Sequence, residues 1–427
     1  MSPAPANPLP PDAPLRSGVV AYLRERLGLD SVEALAEKKH VPVHRETIFY
    51  YLGGMALFLF GIQIATGILL SLYYKPSPDQ AFESVRAIMT EIDFGWLMRS
   101  IHSWSANLII GVLFLHLLTT YMMRAYRGPR EFTWITGCIL LGIFMAFGFS
   151  GYLLPWNELA FSATRVGTEI VGVVPWIGDE LLLLARGGEN VTGDTLARFY
   201  ALHVVILPIV TFGLLGIHLF LVQKHGMSVP DRVVRRQGSF EAVPNMRFIP
   251  DFLLRDMVGW FVALGFLAVL GALFPWELGE KANPFGSTPE GIKPEWYFLF
   301  MFQLLKLIPG HVLGLEGKML GVLACGAAGL VVLLVPFLDR GETPGRARMV
   351  FNLLAAAAVT FFIAMTAWGF FDKLQFQLAL GGLLFAGVLA LSVAALERGA
   401  PLRRLVILLS VLSSLVCVGM LAWGLRG

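Results

Sequence analysis

Four histidines carry the most legible chemistry in this chain. His102 and His116 lie 14 residues apart and His203 and His218 lie 15 apart, each pair inside a long apolar segment. On a helix of about 3.6 residues per turn, 14 or 15 steps return to within roughly 60° of one face and advance about 21 to 23 Å along the axis. Two such helices side by side offer two His/His sites stacked through a membrane. An imidazole in hydrocarbon is costly and marks function, and a six-coordinate haem iron accepts two axial imidazoles. The spacing predicts a dihaem electron carrier.

Glycines repeat the interval. Gly53 and Gly67 in one apolar segment, and Gly137 and Gly151 in another, are again 14 apart. Small residues let a flat macrocycle approach a helix backbone closely. Ordinary helix packing accounts for scattered members of the 45 glycines, but not for the histidine interval recurring on two further helices. Arg99 lies three residues before His102 on the same helical side. Two readings fit it: pairing with a haem propionate, or snorkelling to the interface.

The elements that position these residues follow from composition. The 427 residues are 56% hydrophobic and 15% charged, with a mean hydropathy of +0.68, which places the chain in lipid. Nine stretches reach the roughly 20 apolar residues a bilayer requires: 49–74, 101–123, 134–154, 199–222, 253–274, 316–337, 349–370, 377–396 and 403–424. The expected fold is an all-α, polytopic transmembrane protein with an N-terminal four-helix dihaem bundle and a C-terminal helical part. Spans 2 and 4 supply ligands, and spans 1 and 3 wall the haem edges. With nine spans, 21 of the 33 Lys and Arg fall on the side of the N-terminal arm, so the N-terminus is expected in the cytoplasm of a bacterial-type inner membrane. His102 and His203 then lie near the outer face, His116 and His218 near the inner. A net charge of +3 carries little information, and no nucleic-acid partner is expected.

Residues 1–17, rich in Pro and Ala, are expected to be a disordered tail without a signal peptide. Residues 18–48 contain helical spacing of Val, Leu and Tyr over 18–38, suiting an amphipathic helix on the membrane surface or a soluble cap. Residues 49–223 form the bundle, 224–250 a basic cytoplasmic connector, 251–340 a C-terminal domain, and 341–427 additional transmembrane helices. Cys138, Cys325 and Cys417 lie within spans and match neither C-x-x-C-H nor an iron–sulfur spacing.

Together FYYLGGMALFLFGIQIATG, FGWLMRSIHSWSANLIIGVLFLH, GYLLPW, RFYALHVVILP and the string Pro294-Glu295-Trp296-Tyr297 resemble the cytochrome b subunit of quinol-oxidising cytochrome bc complexes, over residues 20 to about 340. The resemblance implies two non-covalent b haems, a low-potential outer one on His102 and His203 and a high-potential inner one on His116 and His218. It also implies a quinol or quinone substrate, a Rieske-type iron–sulfur protein, a c-type cytochrome subunit or acceptor, and a homodimer.

The Pro-Glu-Trp-Tyr string precedes a segment too short to span but apolar enough to dip into the outer interface. Burial there raises the Glu295 carboxyl toward the range useful for proton transfer. By resemblance Glu295 accepts the quinol proton, Tyr297 is its hydrogen-bonding neighbour, Pro294 and Trp296 flank them, and residues 161–175, with Ser162 and Gly167, form the opposite wall. At an inner quinone site, mitochondrial-type relatives have a histidine five residues after the inner ligand, where this chain has Gln223, followed by Lys224 and His225. Asp256 resembles the acid that delivers protons there. It also suits a helix-start carboxylate favoured by the dipole.

The 15-residue interval is similar to the chloroplast and cyanobacterial type, in which a cysteine near the start of the first span attaches an extra haem. Tyr51 stands at that position, so no covalent third haem is expected. Two rivals remain at this stage: a dihaem membrane anchor of a dehydrogenase or hydrogenase, which lacks the Pro-Glu-Trp-Tyr loop, and a non-redox transporter whose histidines relay protons.

Overall fold

The computed structural model describes residues 15–28, 39–286, 291–312, 314–339 and 346–370. Its helices are α1 (Leu15–Leu27), α2 (Tyr51–Ser71), α3 (Ala81–Thr90), α4 (Gly95–Met122), α5 (Glu131–Leu153), α6 (Glu158–Gly172), α7 (Gly178–Arg186), α8 (Gly193–Ala201), α9 (Leu207–His225), α10 (Asp231–Gln237), α11 (Leu253–Leu273), α12 (Trp296–Leu307), α13 (Gly317–Leu338) and α14 (Arg346–Phe370). Two short antiparallel ladders join β1 (His40–Pro42) to β2 (Asn245–Arg247) and β3 (His311–Val312) to β4 (Leu315–Glu316).

Among the described residues, six helical stretches are long and apolar enough to cross a bilayer: Thr47–Ser71, Gly95–Met122, Glu131–Leu153, Gly193–His225, Phe248–Leu273 and Gly317–Leu338. They coincide with the first six expected spans. The seventh, 349–370, falls within α14, and the expected spans 377–396 and 403–424, like the tail 1–14, lie outside the described residues.

The fourth span is not the plain α-helix that its hydropathy suggests. Between α8 and α9, Leu202–Ile206 forms a π-helical turn that contains His203. Pro208 has no N–H to give the carbonyl four residues back, and the wider turn, with its i→i+5 bonds, absorbs an extra residue. On an unbroken α-helix, 15 steps overshoot four full turns by about 60°. The π turn takes up that surplus, so a 15-residue interval serves where α4, regular throughout, uses 14.

The chain divides into two compact units. The first comprises Met1–Tyr51 and Val229–Ala263. In it β1 pairs with β2, Val41 opposite Met246, and the Tyr51 ring stacks on Phe252 at 4.4 Å. His44 lies between Glu46 (Nδ1 to Oε2, 3.1 Å) and Tyr50 (Nε2 to Oη, 2.7 Å), and Arg232 donates to Glu46 Oε1 at 2.7 Å. These elements correct one expectation. The helix anticipated over 18–48 ends at Leu27, with residues 40–50 forming a strand and a 3-10 turn. Within the connector 224–250, β2 pairs with β1 of the N-terminal segment.

The second unit comprises Leu52–Ser228 and Leu264–Gly427. Its core joins α2, α4, α5, α11 and α12 through Leu59, Phe60, Ile109, Ile110, Phe144, Leu267 and Tyr297, all at most 8% exposed. Phe60 meets the Phe144 ring edge-on at 5.3 Å. Because Tyr297 belongs to this core, the segment around it packs against α2, α4 and α5.

Candidate functional site

Each of the four histidine rings faces a glycine on a neighbouring helix. A Cβ built on Gly67 would stand 3.4 Å from His102 Cε1, and one on Gly151 would stand 2.6 Å from His203 Cε1. At the other level, Gly53 would meet His116 Cε1 at 3.4 Å and Gly137 would meet His218 Cε1 at 3.2 Å. The glycines of α2 and α5 thus make room for the imidazoles themselves, in the order the shared interval implies. Thr66 Oγ1 lies 2.9 Å from His102 Nδ1, Ser150 Oγ 3.1 Å from His203 Nδ1, and Thr136 Oγ1 2.9 Å from His218 Nδ1. Gln63 ties α2 to the first ligand by donating to the His102 carbonyl at 2.6 Å.

The ring centres of His102 and His203 are 6.4 Å apart. Two metal–imidazole bonds of about 2.0–2.1 Å, each extended to its ring centre, need roughly 6 Å. Among the described residues no three His, Cys, Asp or Glu converge on a bare ion, so two imidazoles alone suit a metal whose remaining positions are filled by a macrocycle. The residues fit a bis-imidazole haem.

A cavity of about 830 Å³ opens beside His102 and His203, and Arg99, Tyr152, Glu295 and Tyr297 also line it. Arg99 is 7% exposed. Its guanidinium donates to the Trp276 carbonyl and, at 3.1 Å, to that of Glu277. It is therefore buried, not snorkelling, and pins the segment after α11 to the cavity. Burial pushes the Glu295 carboxyl above its ordinary value. The Tyr297 phenol is raised by burial and then by the nearby Glu295 and Tyr152.

The remaining expected site residues divide. Trp296 turns away and donates from Nε1 to Asn107 Oδ1 at 2.8 Å, locking α12 to α4, and Pro294 precedes the helix without lining the cavity. Ser162 and Gly167 do not line it either. Ser162 is buried within α6, and a Cβ on Gly167 would press on the Phe149 ring at 2.5 Å. The opposite wall comes from the start of α6, Asn157 to Ala160, one turn earlier than expected. Asn157 caps that helix by accepting from the Ala160 N–H at 2.8 Å and donates to the Leu278 carbonyl at 2.6 Å. An Asn before Glu-Leu-Ala is a readable cap signal; its long-range bond is not. Lys224 and His225 end α9 in the second unit, with the His225 carbonyl accepting from Arg130 at 3.0 Å. Asp256, buried near the start of α11, belongs to the first unit.

Comparison with known proteins decides the family. A family model described as cytochrome b/b6/petB matches residues 37–226, and one described as cytochrome b (C-terminal)/b6/petD matches 281–389. A cytochrome bc complex cytochrome b subunit of Chlorobaculum thiosulfatiphilum is 44% identical over 352 residues, covering 82% of this chain and 80% of that protein. The chain belongs to the cytochrome b family. Cytochrome b6 of Heliobacterium mobile is 43% identical over 210 residues, 49% of this chain and 99% of that one. A solved hyperthermophilic respiratory Complex III shares the fold with a TM-score of 0.74 at 31% identity, covering 93% of this chain and 99% of its counterpart. This cytochrome b is thus the core of a bc- or b6f-type quinol oxidoreductase, an integral membrane protein that carries b-type haem within a larger complex.

Proposed function

We propose that this cytochrome b oxidises quinol in the cavity beside Glu295 at the outer membrane face and delivers electrons to a quinone on the cytoplasmic side. Two non-covalent b haems, on His102/His203 and His116/His218, would supply one-electron carriage between the faces. The observation that carries this reading is the single cavity shared by one histidine pair and Glu295.

Glu295 is the proton acceptor, because a carboxylate whose affinity is raised by burial is a better match for a quinol proton than a fully solvated one. Tyr297 and Tyr152 hold the quinol oxygen near it by hydrogen bonding. Arg99 shapes the cavity through the carbonyls of Trp276 and Glu277. On the cytoplasmic side, the buried Asp256 is the candidate proton donor for quinone reduction. The first electron goes to a Rieske-type iron–sulfur protein and on to a c-type cytochrome. The N-terminus faces the cytoplasm, the working unit is a homodimer, and no haem is attached covalently near Tyr51, where the ring stacks on Phe252. The test is quinol-driven haem reduction in membranes carrying Glu295→Gln: the rate falls about tenfold or more, and an unchanged rate removes Glu295 from the mechanism.

A further inference from the structure

Thr66, Thr136 and Ser150 each stand immediately before one of the ring-facing glycines, in the steps Thr66-Gly67, Thr136-Gly137 and Ser150-Gly151; the fourth step is Leu52-Gly53. Each hydroxyl has one hydrogen, and each finds an acceptor in its own helix: Thr66 donates to the Ile62 carbonyl at 2.6 Å, Thr136 to Phe132 at 2.8 Å and Ser150 to Phe147 at 3.3 Å. Toward the ring, the oxygen can then only accept. The imidazole nitrogen it meets, Nδ1 of His102, His218 or His203, then carries the proton, for which the backbone carbonyls of Thr133 and Phe147 are further acceptors at His218 and His203, and Nε2 is left as a bare donor for a metal.

His116 lacks this support. Leu52 offers no hydroxyl, and His116 Nδ1 is buried without a hydrogen-bond partner among the described residues. Its ring is also turned: Cε1 and Nε2 lie nearest Gly53, whereas Cε1 and Nδ1 lie nearest Gly67 and Gly137.

We infer that the hydroxyl–glycine step is a positioning device that fixes tautomer, orientation and donor strength of three axial imidazoles, and that its absence at Leu52-Gly53 leaves His116 the weakest donor of the four. This rests on the haem reading above. An acceptor on Nδ1–H makes Nε2 more basic, which favours the more highly charged, oxidised iron and lowers its reduction potential. Thr66, Thr136 and Ser150 act through the ligands and touch no substrate.

The test is a spectroelectrochemical titration of both haem bands in the purified complex, with haem per chain measured alongside. Thr66→Val removes the acceptor at nearly constant shape and lowers the oxidised-to-reduced ratio of the His102/His203 haem about three- to tenfold at a fixed ambient potential; tenfold is 59 mV for a one-electron couple. Thr66→Ser restores the ratio to within about twofold. Leu52→Thr moves the His116/His218 haem the opposite way. Ser150→Ala reads the first site independently if Thr66→Val does not assemble. Both haems bound with both ratios unmoved in Ser150→Ala, Thr66→Val and Leu52→Thr overturns the inference, as does Thr66→Ser behaving like Thr66→Val, which would indicate packing alone. A wild-type complex without haem bands overturns the haem reading itself, a separate outcome.

Discussion

Alanine at Gly151 and at Gly53 should have different consequences, although the two positions look alike in sequence. At Gly151 the new methyl would lie 2.6 Å from His203 Cε1, 3.1 Å from Nδ1 and 3.2 Å from Nε2. The ring has little freedom to retreat, since Ser150 holds its Nδ1 at 3.1 Å and Phe147 stands edge-on at 5.4 Å. Overpacking of this kind costs about 1–3 kcal/mol, against a helix-propensity gain of about 1 kcal/mol for replacing glycine by alanine. The clash wins, with a net loss of up to about 2 kcal/mol. At about 1.4 kcal/mol per tenfold, the haem at His102/His203 is retained up to roughly 30-fold more weakly. At Gly53 the nearest ring atom is 3.4 Å away, at the edge of ordinary contact, so the ring keeps its place, haem retention is unchanged, and the propensity gain appears in folding stability. The assay is b haem per chain and the amplitude of each reduced-minus-oxidised band after dilution in detergent. Loss of haem from Gly53→Ala with full retention in Gly151→Ala would refute the packing argument.

Two further outcomes follow from charge. Burial raises the Asp339 carboxyl, but hydrogen bonds from Arg127 and Tyr126 and the charges of Arg127 and Arg124 outweigh it and hold the group below its ordinary value of 3.8. A depressed acid stabilises the fold above that ordinary value and loses the contribution as pH falls through the depressed one. Asp339→Asn therefore lowers stability by about 1–3 kcal/mol near neutral pH, between the surface and buried limits. Thermal unfolding in detergent at pH 7 checks it, and an unchanged midpoint would remove the cluster from the account. For Glu295 the shift is upward, so the carboxyl stays protonated, and unable to accept, to a higher pH than an exposed glutamate. The acid limb of quinol-driven haem reduction then lies at higher pH than an exposed glutamate would set, and Glu295→Gln flattens it; an identical limb in the variant would assign it to another group.

The histidine and glycine intervals were legible because a membrane helix is rigid and periodic, so spacing along the chain translates directly into shared faces. The same logic located the first six spans and tied the glycines to the histidine level, but it assigned them to the macrocycle and not to the imidazoles that they face. What escaped depends on contacts between distant residues. Arg99 was readable as a functional cation, but nothing local announces its bonds to the carbonyls of Trp276 and Glu277, about 177 residues away. The wall expected over residues 161–175 stands beside a cavity lined by Asn157 to Ala160, where the Asn157 cap starts the helix. The π turn at Leu202–Ile206 left one trace, the extra residue in the 15-residue interval, which hydropathy cannot resolve into a bulge. The pairing of β1 with β2 joins three-residue segments some 200 positions apart, too short to signal themselves.

The most direct test of the account is the haem content of the purified wild-type complex beside single ligand substitutions. Two b haems per cytochrome b chain are expected, with His102→Leu and His116→Leu each removing a different one and leaving the other's reduced-minus-oxidised band in place. A single haem, none, or both lost together through either substitution in a folded chain would contradict two independently held carriers.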